Sequence, residues 1–221
     1  MELRRTLPRI VLAAAIAGGI GYVFTWDQPI AHWMHVAMKG SGVGLLALYA
    51  ALLAMERPGD RDGWLITLVL GLGALGDVLL DVLGLQLGAL SFLAGHLVAI
   101  GLYLKNRRAP LTVVRAVGAL AFTVLVVALA WSLPTDRAAA PGIALYTTGL
   151  SLMAAAAWLS RFPRVLTGLG AMLFLVSDLL IFAKLGPLAG SDLAGFGVWA
   201  FYFTGQLMIC LGVTRTLAAR A

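Results

Sequence analysis

The chain has 221 residues, of which 61% are hydrophobic and only 12% are charged. A soluble domain carries roughly a quarter of its residues as charged ones, so this composition excludes a soluble globular protein and indicates an integral membrane protein. The formal net charge of +6 does not indicate nucleic-acid binding, because the basic residues fall in alternate loops and not in one patch. The single cysteine, Cys210, excludes an intramolecular disulfide.

Eight apolar segments are each close to the ~20 residues that a helix needs to cross the hydrocarbon layer. They run over residues 9–25, 32–55, 63–83, 86–104, 110–132, 141–160, 164–185 and 193–214. The first has a basic start like that of a signal peptide, but a second apolar segment follows it directly, so we interpret it as a retained helix. The predicted fold class is therefore all-α, a polytopic membrane protein with eight transmembrane helices.

Lysine and arginine residues alternate between the two ends of these segments. They precede the first segment, follow the last and fill every second loop: Arg4, Arg5, Arg9, Arg57, Arg61, Lys105, Arg107, Arg108, Arg161, Arg164, Arg215 and Arg220. The positive-inside rule then predicts that both termini are cytoplasmic. The composition, rich in Ala, Gly, Leu and Arg, is typical of a high-GC bacterium, so we expect a multi-pass protein of the bacterial cytoplasmic (inner) membrane.

We expect residues 1–221 to form a single eight-helix transmembrane domain. The third and seventh segments both carry a small residue, an aspartate and then a leucine-rich stretch, at Gly76-Asp77 and Ser177-Asp178. This shared pattern suggests a weak duplication of 1–108 in 109–221.

Two aspartates fall at the same predicted depth in the membrane. Asp77 lies roughly 21 Å along its segment from Gly63, and Asp178 lies roughly 21 Å along its own from Arg164. An aspartate in mid-membrane costs roughly 2.5–3.5 kcal/mol on insertion scales, and such residues normally face a cavity or a partner and mark a functional site. We therefore predict that these carboxyl groups line an internal pocket.

Further polar residues from other segments fall near this level: Lys39, Asp81, His96, Tyr146, Tyr202 and Gln206. Asp81 is one turn further out than Asp77 and is either a second pocket carboxylate or an interfacial residue at a helix end. Lys39 either pairs with a carboxylate or extends to the surface, and a structural ion pair with Asp77 or Asp178 is the alternative to a catalytic role for those residues.

Alternatives stay open for three of the remaining polar side chains. His96 is either functional or a core histidine bonded to a backbone carbonyl. Tyr146 and Tyr202 are either site residues or aromatics of the interfacial belt. Gln206 is too deep for that belt, so we expect it to form hydrogen bonds inside the helix bundle. His32 and His35 lie at a helix start and are interpreted as interfacial.

The stretches GDVLLDVLG, SFLAGHLVAIGLYL, GAMLFLVSDLLIFAK and FYFTGQLMICLG, in this order, resemble the YhhN family of membrane lysoplasmalogenases. The residues that match its pattern are Gly76, Asp77, Phe92, His96, Ser177, Asp178, Tyr202 and Gln206. Lys39 falls where the family has a lysine on an early helix, although Gly40 follows it where the family often has proline. Tyr146 and Met153 are similar to the family's middle-helix pattern.

This resemblance implies hydrolysis of the vinyl ether bond of lysoplasmalogens to a fatty aldehyde and a glycerophospho-base. The reaction needs an acid that protonates carbon, an anion that stabilises the resulting oxocarbenium ion, and a base that activates water. In glycosidases, two carboxyl groups share these catalytic roles. The hypothesis makes Asp77, Asp178 and His96 catalytic, with acid and base not assigned between the aspartates. Lys39, Asp81, Tyr146, Tyr202 and Gln206 would bind the lysophospholipid.

Two other functions stay open from sequence. One is a small-molecule transporter that uses the buried aspartates as proton sites, and the other is an assembly factor whose polar layer only holds helices together. We expect no cofactor and no metal, because a zinc site would show more His or Cys at regular spacing. We expect no nucleic-acid partner, and the oligomeric state is open.

Overall fold

Eight α-helices run through the part of the chain that the computed structural model describes, residues 2–57 and 59–220. Side chains are described from residue 6 onward, except at Pro58, so the predicted cytoplasmic side chains of Arg4 and Arg5 lie outside the description. The helices are α1 (Glu2–Val23), α2 (His32–Met55), α3 (Arg61–Val82), α4 (Leu85–Lys105), α5 (Val113–Ser132), α6 (Ala140–Leu159), α7 (Leu169–Lys184) and α8 (Asp192–Ala218). All eight contain stretches long and apolar enough to span a membrane, which confirms the predicted fold class. The predicted orientation of the termini stays a prediction.

The ends of three helices differ from the apolar limits for identifiable reasons. Helix α5 starts at Val113 and not at 110, because Thr112 caps it by accepting a hydrogen bond from the Arg115 backbone N–H at 3.4 Å. Helix α8 continues four residues beyond 214, where the hydroxyl groups of Thr214 and Thr216 donate to backbone carbonyls four residues earlier. The start of the seventh apolar segment, Arg164–Gly168, forms a π-helical turn ahead of α7.

The chain divides into two compact units. The first unit contains α1, α2, α3, α4 up to Ala99 and α8 from Cys210. The second unit contains α4 from Ile100, α5, α6, α7 and α8 up to Ile209. The single-domain assignment and the suggested duplication both stay predictions.

In the first unit, small residues let neighbouring helices approach closely. A Cβ atom at Gly40 of α2 would lie 3.0 Å from the Val78 side chain of α3, and a Cβ atom at Gly18 of α1 would lie 2.9 Å from the Ser41 hydroxyl. Such small residues are the usual means of helix association in membranes, where hydrophobic driving force between helices is weak. The close approach of α2 and α3 sets the distance between the polar side chains that they carry.

Helices α3 and α4 form a hairpin joined by a tight turn. Gly84 takes a φ of +93° in this turn, a conformation that favours glycine. A Cβ atom at Gly88 of α4 would lie 2.8 Å from Leu80, and the Ser91 hydroxyl donates to the Leu72 carbonyl at 2.7 Å. These contacts fix the register of α4 against α3.

In the second unit, α7 and α8 cross at a pair of glycines. A Cβ atom at Gly170 would lie 2.8 Å from the Gly205 carbonyl oxygen, and one at Gly205 would lie 2.6 Å from the Gly170 carbonyl oxygen. The Ser177 hydroxyl donates to the Val198 carbonyl at 2.8 Å further along the same pair of helices. The two helices are therefore in backbone contact beside the polar residues that α8 carries.

Candidate active site

In the first unit, Lys39 of α2 forms an ion pair with Asp81 of α3. The lysine Nζ donates to the aspartate Oδ1 at 2.6 Å, and the two side chains are 12% and 18% exposed. The ion pair considered from sequence for Asp77 or Asp178 therefore forms with Asp81. Asp81 therefore has a counter-ion and lies partly exposed at the end of α3, and the choice between a pocket carboxylate and an interfacial residue stays a prediction.

Asp77 and His96 are buried in the same unit, each only 3% exposed. Asp77 lies one helical turn before Asp81 on α3, and it has an interaction partner in the structure. Its neighbour Gly76 makes room for α4, since a Cβ atom there would lie 2.9 Å from the ring of Phe92. Phe92 and His96 are one turn apart on α4, so this close contact fixes the part of α4 that carries the histidine.

Tyr22 of α1 is a candidate residue that the sequence reasoning missed. It is buried, and its hydroxyl group is close enough to the carboxylates of Asp81 and Asp77 to interact with both electrostatically. Its ring also packs edge-to-face on that of His35, with centroids 4.9 Å apart. No sequence signal separates this tyrosine from an aromatic of the interfacial belt, because it lies near the end of its span.

In the second unit, Asp178 of α7 is held by a neutral donor. The Tyr146 hydroxyl on α6 donates to Asp178 Oδ2 at 2.5 Å, and both residues are buried. Tyr146 is the only hydrogen-bond partner of Asp178 among the described residues, so the second carboxyl oxygen is not engaged by the protein there. The burial of Tyr146 and its hydrogen bond to a carboxyl group favour a site residue over a belt aromatic, and its role stays a prediction.

Aromatic rings surround the predicted site residue Tyr202 on α8. The ring of Phe174 packs edge-to-face on it at 5.1 Å between centroids, and the Trp199 ring lies at 5.6 Å. Tyr202 is itself buried, which favours a site residue over a belt aromatic here too. The second unit thus places a ring cluster one helical turn from Gln206.

Gln206 is only 1% exposed, and its side-chain carbonyl oxygen has no hydrogen-bond partner among the described residues. The expectation that Gln206 forms hydrogen bonds inside the bundle is therefore not met by this oxygen in the described part of the chain. A buried acceptor without a donor costs about 1–3 kcal/mol, so its presence calls for an explanation. A ligand that brings a hydroxyl or ammonium donor would supply one.

No three His, Cys, Asp or Glu side chains lie close enough to hold a metal ion together, as far as the structure describes them. The metal-free mechanism stays a prediction, as do the catalytic roles of Asp77, Asp178 and His96 and the substrate-binding roles of the other site residues.

Comparison with known proteins identifies the family of this chain. The model of the YhhN family matches residues 34–213, which include every predicted site residue. The chain belongs to the YhhN family.

Two curated relatives carry the name lysoplasmalogenase. They come from Mycobacterium bovis (strain ATCC BAA-935 / AF2122/97) and Mycobacterium tuberculosis (strain CDC 1551 / Oshkosh). Each is 29% identical to this chain over 189 residues, which is 80% of this chain and 71% of the relative. No solved structure matches the chain.

Proposed function

We propose that this YhhN family member is a membrane hydrolase that cleaves the vinyl ether bond of lysoplasmalogens, releasing a fatty aldehyde and a glycerophospho-base. The name of its mycobacterial relatives supports this substrate class. The observation that carries the proposal is the buried Asp178, with one oxygen on the Tyr146 hydroxyl and the other not engaged by the described residues. A carboxyl group in this state can exchange a proton with a bound reactant.

The chemistry needs only a proton and water. A carboxylic acid protonates the vinyl carbon distant from the ether oxygen, which leaves an oxocarbenium ion on the adjacent carbon. A carboxylate stabilises this cation and then takes a proton from the attacking water. The hemiacetal that forms collapses to the aldehyde and the glycerol hydroxyl, and the proton balance closes. We assign Asp77 and Asp178 to these carboxyl roles, without dividing acid from base.

The other site residues suit the polar end of the substrate. Lys39 and Asp81 carry the charges that a phosphate and an ammonium headgroup would need. Gln206 offers its unsatisfied carbonyl oxygen to the free glycerol hydroxyl of the lysolipid, and Tyr202 is placed beside it on α8. His96 orients a carboxyl group or relays the proton. The aliphatic chain needs no polar partner, because it can lie against apolar helices.

The test is product analysis on a panel of matched lysolipids with the purified full-length chain in detergent micelles. Each lysolipid has the same headgroup and chain length and carries a vinyl ether, a saturated alkyl ether or an ester bond. We expect fatty aldehyde from the vinyl ether alone. Turnover in micelles, where there are no two compartments to connect, also separates a hydrolase from the transporter alternative.

Release of fatty acid from the ester, or no aldehyde from the vinyl ether by folded protein, would contradict the proposal. The exposed aspartates Asp27 and Asp192 give matched controls, since Asp27→Asn and Asp192→Asn remove a carboxylate without touching the site. Both variants should keep the activity of the unmodified chain.

A further inference from the structure

A cluster of exposed arginines in the second unit has no role in the proposed hydrolysis. It comprises Arg107, Arg108, Arg115, Arg161 and Arg164, from the α4–α5 connection, the first turns of α5 and the segment after α6. The stretches 100–135 and 137–177 contain no aspartate or glutamate. None of the five arginines forms an ion pair among the described residues, so the cluster concentrates positive charge without a counter-ion.

The backbone holds the two arginine-bearing connections together. The Arg108 N–H donates to the Leu159 carbonyl at 3.0 Å, and the Arg161 N–H donates to the Asn106 carbonyl at 2.7 Å. The Arg161 guanidinium adds a hydrogen bond from Nε to the Arg107 carbonyl at 2.9 Å. The arginines are therefore presented by a fixed pair of segments, and like charges stay close together although they repel.

A pocket opens at this junction, with a cationic rim and apolar walls. Arg107, Arg108, Arg115 and Arg164 line it together with Leu104, Leu111, Ala156 and Leu159. Arg164 is held in place because its guanidinium lies over the Trp158 ring, 5.8 Å from the centroid. The lining thus combines planar donors that suit phosphate oxygens with aliphatic surface that suits acyl chains.

We propose that this arginine pocket binds the phosphate headgroup of an acidic phospholipid of the surrounding bilayer, with its acyl chains against the leucines. The inference does not depend on the hydrolase activity. The lack of carboxylates decides the headgroup class, because the ammonium of an ethanolamine or choline headgroup would enter a pocket that offers it no anion. Basic pockets between transmembrane helices bind anionic lipid headgroups in the same way. Free phosphate would satisfy the guanidinium groups but leave the aliphatic walls uncovered.

The test is a binding titration of the purified full-length chain in detergent, followed by native mass spectrometry. The probes are phosphatidylglycerol, phosphatidylcholine with the same acyl chains, and inorganic phosphate. We expect phosphatidylglycerol to bind at least about tenfold more tightly than phosphatidylcholine, with a preference that falls as salt is raised. Arg108→Gln and Arg164→Gln should each weaken phosphatidylglycerol binding about fivefold, since one cation near a membrane surface contributes about a factor of this size.

Arg137 provides the matched control within the same unit. Its guanidinium lies over the Trp131 ring at 5.6 Å, much as Arg164 lies over Trp158, but it does not line the pocket. Arg137→Gln should change phosphatidylglycerol binding less than about twofold.

Three results would overturn the proposal: equal binding of the two lipids, equal losses in Arg137→Gln and Arg164→Gln, or displacement of the lipid by inorganic phosphate at the same concentration. If a glutamine variant fails to fold, the salt dependence of the unmodified chain and the Arg108→Lys variant decide. Arg108→Lys keeps the positive charge but loses the bidentate hydrogen bonding of a guanidinium group to phosphate, so it should weaken binding by less than Arg108→Gln does. A lipid preference that is independent of salt and unchanged in Arg108→Lys would overturn the proposal as well.

Discussion

Each unit places a carboxyl group against one hydrogen-bond donor from a neighbouring helix, and the two donors differ. In the first unit, Asp81 is held by the ammonium group of Lys39 at 2.6 Å, and both side chains keep some exposure. In the second, Asp178 is held by the neutral hydroxyl of Tyr146 at 2.5 Å and is only 5% exposed. An ion pair ties the carboxylate to a fixed cation, whereas a hydroxyl leaves the charge of the site free to change. This difference is the reason that we propose a binding or structural role for Asp81 and a chemical role for Asp178.

Removal of the tyrosine hydroxyl tests the second half of this comparison, and its expected effect is larger than those of Lys39→Met, Gly170→Ala and Gln206→Leu. Tyr146→Phe deletes the hydrogen bond to Asp178 and keeps the ring against Phe182. Because a hydrogen bond to a charged group contributes roughly 1.5–3 kcal/mol, we expect kcat for aldehyde release to fall about 10- to 100-fold. The measurement is steady-state kinetics on the vinyl ether lysolipid. An unchanged kcat in folded protein would mean that the hydroxyl does not act on the reacting group.

Removal of the Lys39 ammonium group tests the first half of the comparison, the ion pair of the first unit. Lys39→Met leaves Asp81 in apolar surroundings without its counter-ion, so we expect the free energy of unfolding to fall by about 2 kcal/mol, less than for a fully buried pair because both side chains are partly exposed. The double variant Lys39→Met/Asp81→Leu should regain most of this loss. The measurement is thermal or denaturant unfolding in detergent. If the double variant were as unstable as the single one, the ion pair would not explain the loss.

The α7–α8 crossing is the frame that holds Asp178, Tyr202 and Gln206. Gly170→Ala places a methyl group 2.8 Å from the Gly205 carbonyl oxygen, so the helices must separate. We expect the free energy of unfolding to fall by about 1–3 kcal/mol and activity to fall with it. Gly118 on α5 is the control, because a Cβ atom there has no neighbour within 4 Å, and Gly118→Ala should be neutral or slightly stabilising. Equal effects of the two alanines would refute the role of the crossing.

The smallest effect is expected at Gln206, whose carbonyl oxygen is buried without a donor among the described residues. Gln206→Leu removes this oxygen at similar volume, so stability should stay equal or rise by up to about 1 kcal/mol. If the oxygen serves the substrate hydroxyl, KM should rise about fivefold with little change in kcat. Loss of stability without a change in KM would mean that the Gln206 carboxamide stabilises the fold and does not bind the substrate.

The eight helices, although not all of their ends, could be predicted from sequence because a span needs a long apolar run, and such runs are visible in the residue order. The partners of the polar residues could not. Counting along a helix gives the depth of a side chain but not the neighbour that it faces, so Asp81 was not singled out as the partner of Lys39. For the same reason, the sequence could not show that the Gln206 oxygen lacks a donor or that Tyr22 lies near Asp77 and Asp81.

The arginine pocket shows a second limit of prediction from sequence. Arg107, Arg108 and Arg164 were interpreted from sequence as markers of orientation, which their alternation with acidic and neutral loops supports. Their convergence on one pocket depends on hydrogen bonds between segments about 50 residues apart, such as Arg161 to Asn106. No periodicity in the sequence indicates that pairing.

We propose that Asp178 takes part in the chemistry and that Asp81 does not. The most direct test is aldehyde release from the vinyl ether lysolipid by folded Asp178→Asn and Asp81→Asn protein, with Asp192→Asn as the control. We predict that Asp178→Asn lowers kcat about 10²- to 10⁴-fold, as expected for the loss of a general acid or base, while Asp81→Asn changes kcat less than about tenfold and acts mainly on KM. Near-normal kcat in folded Asp178→Asn protein would contradict the account.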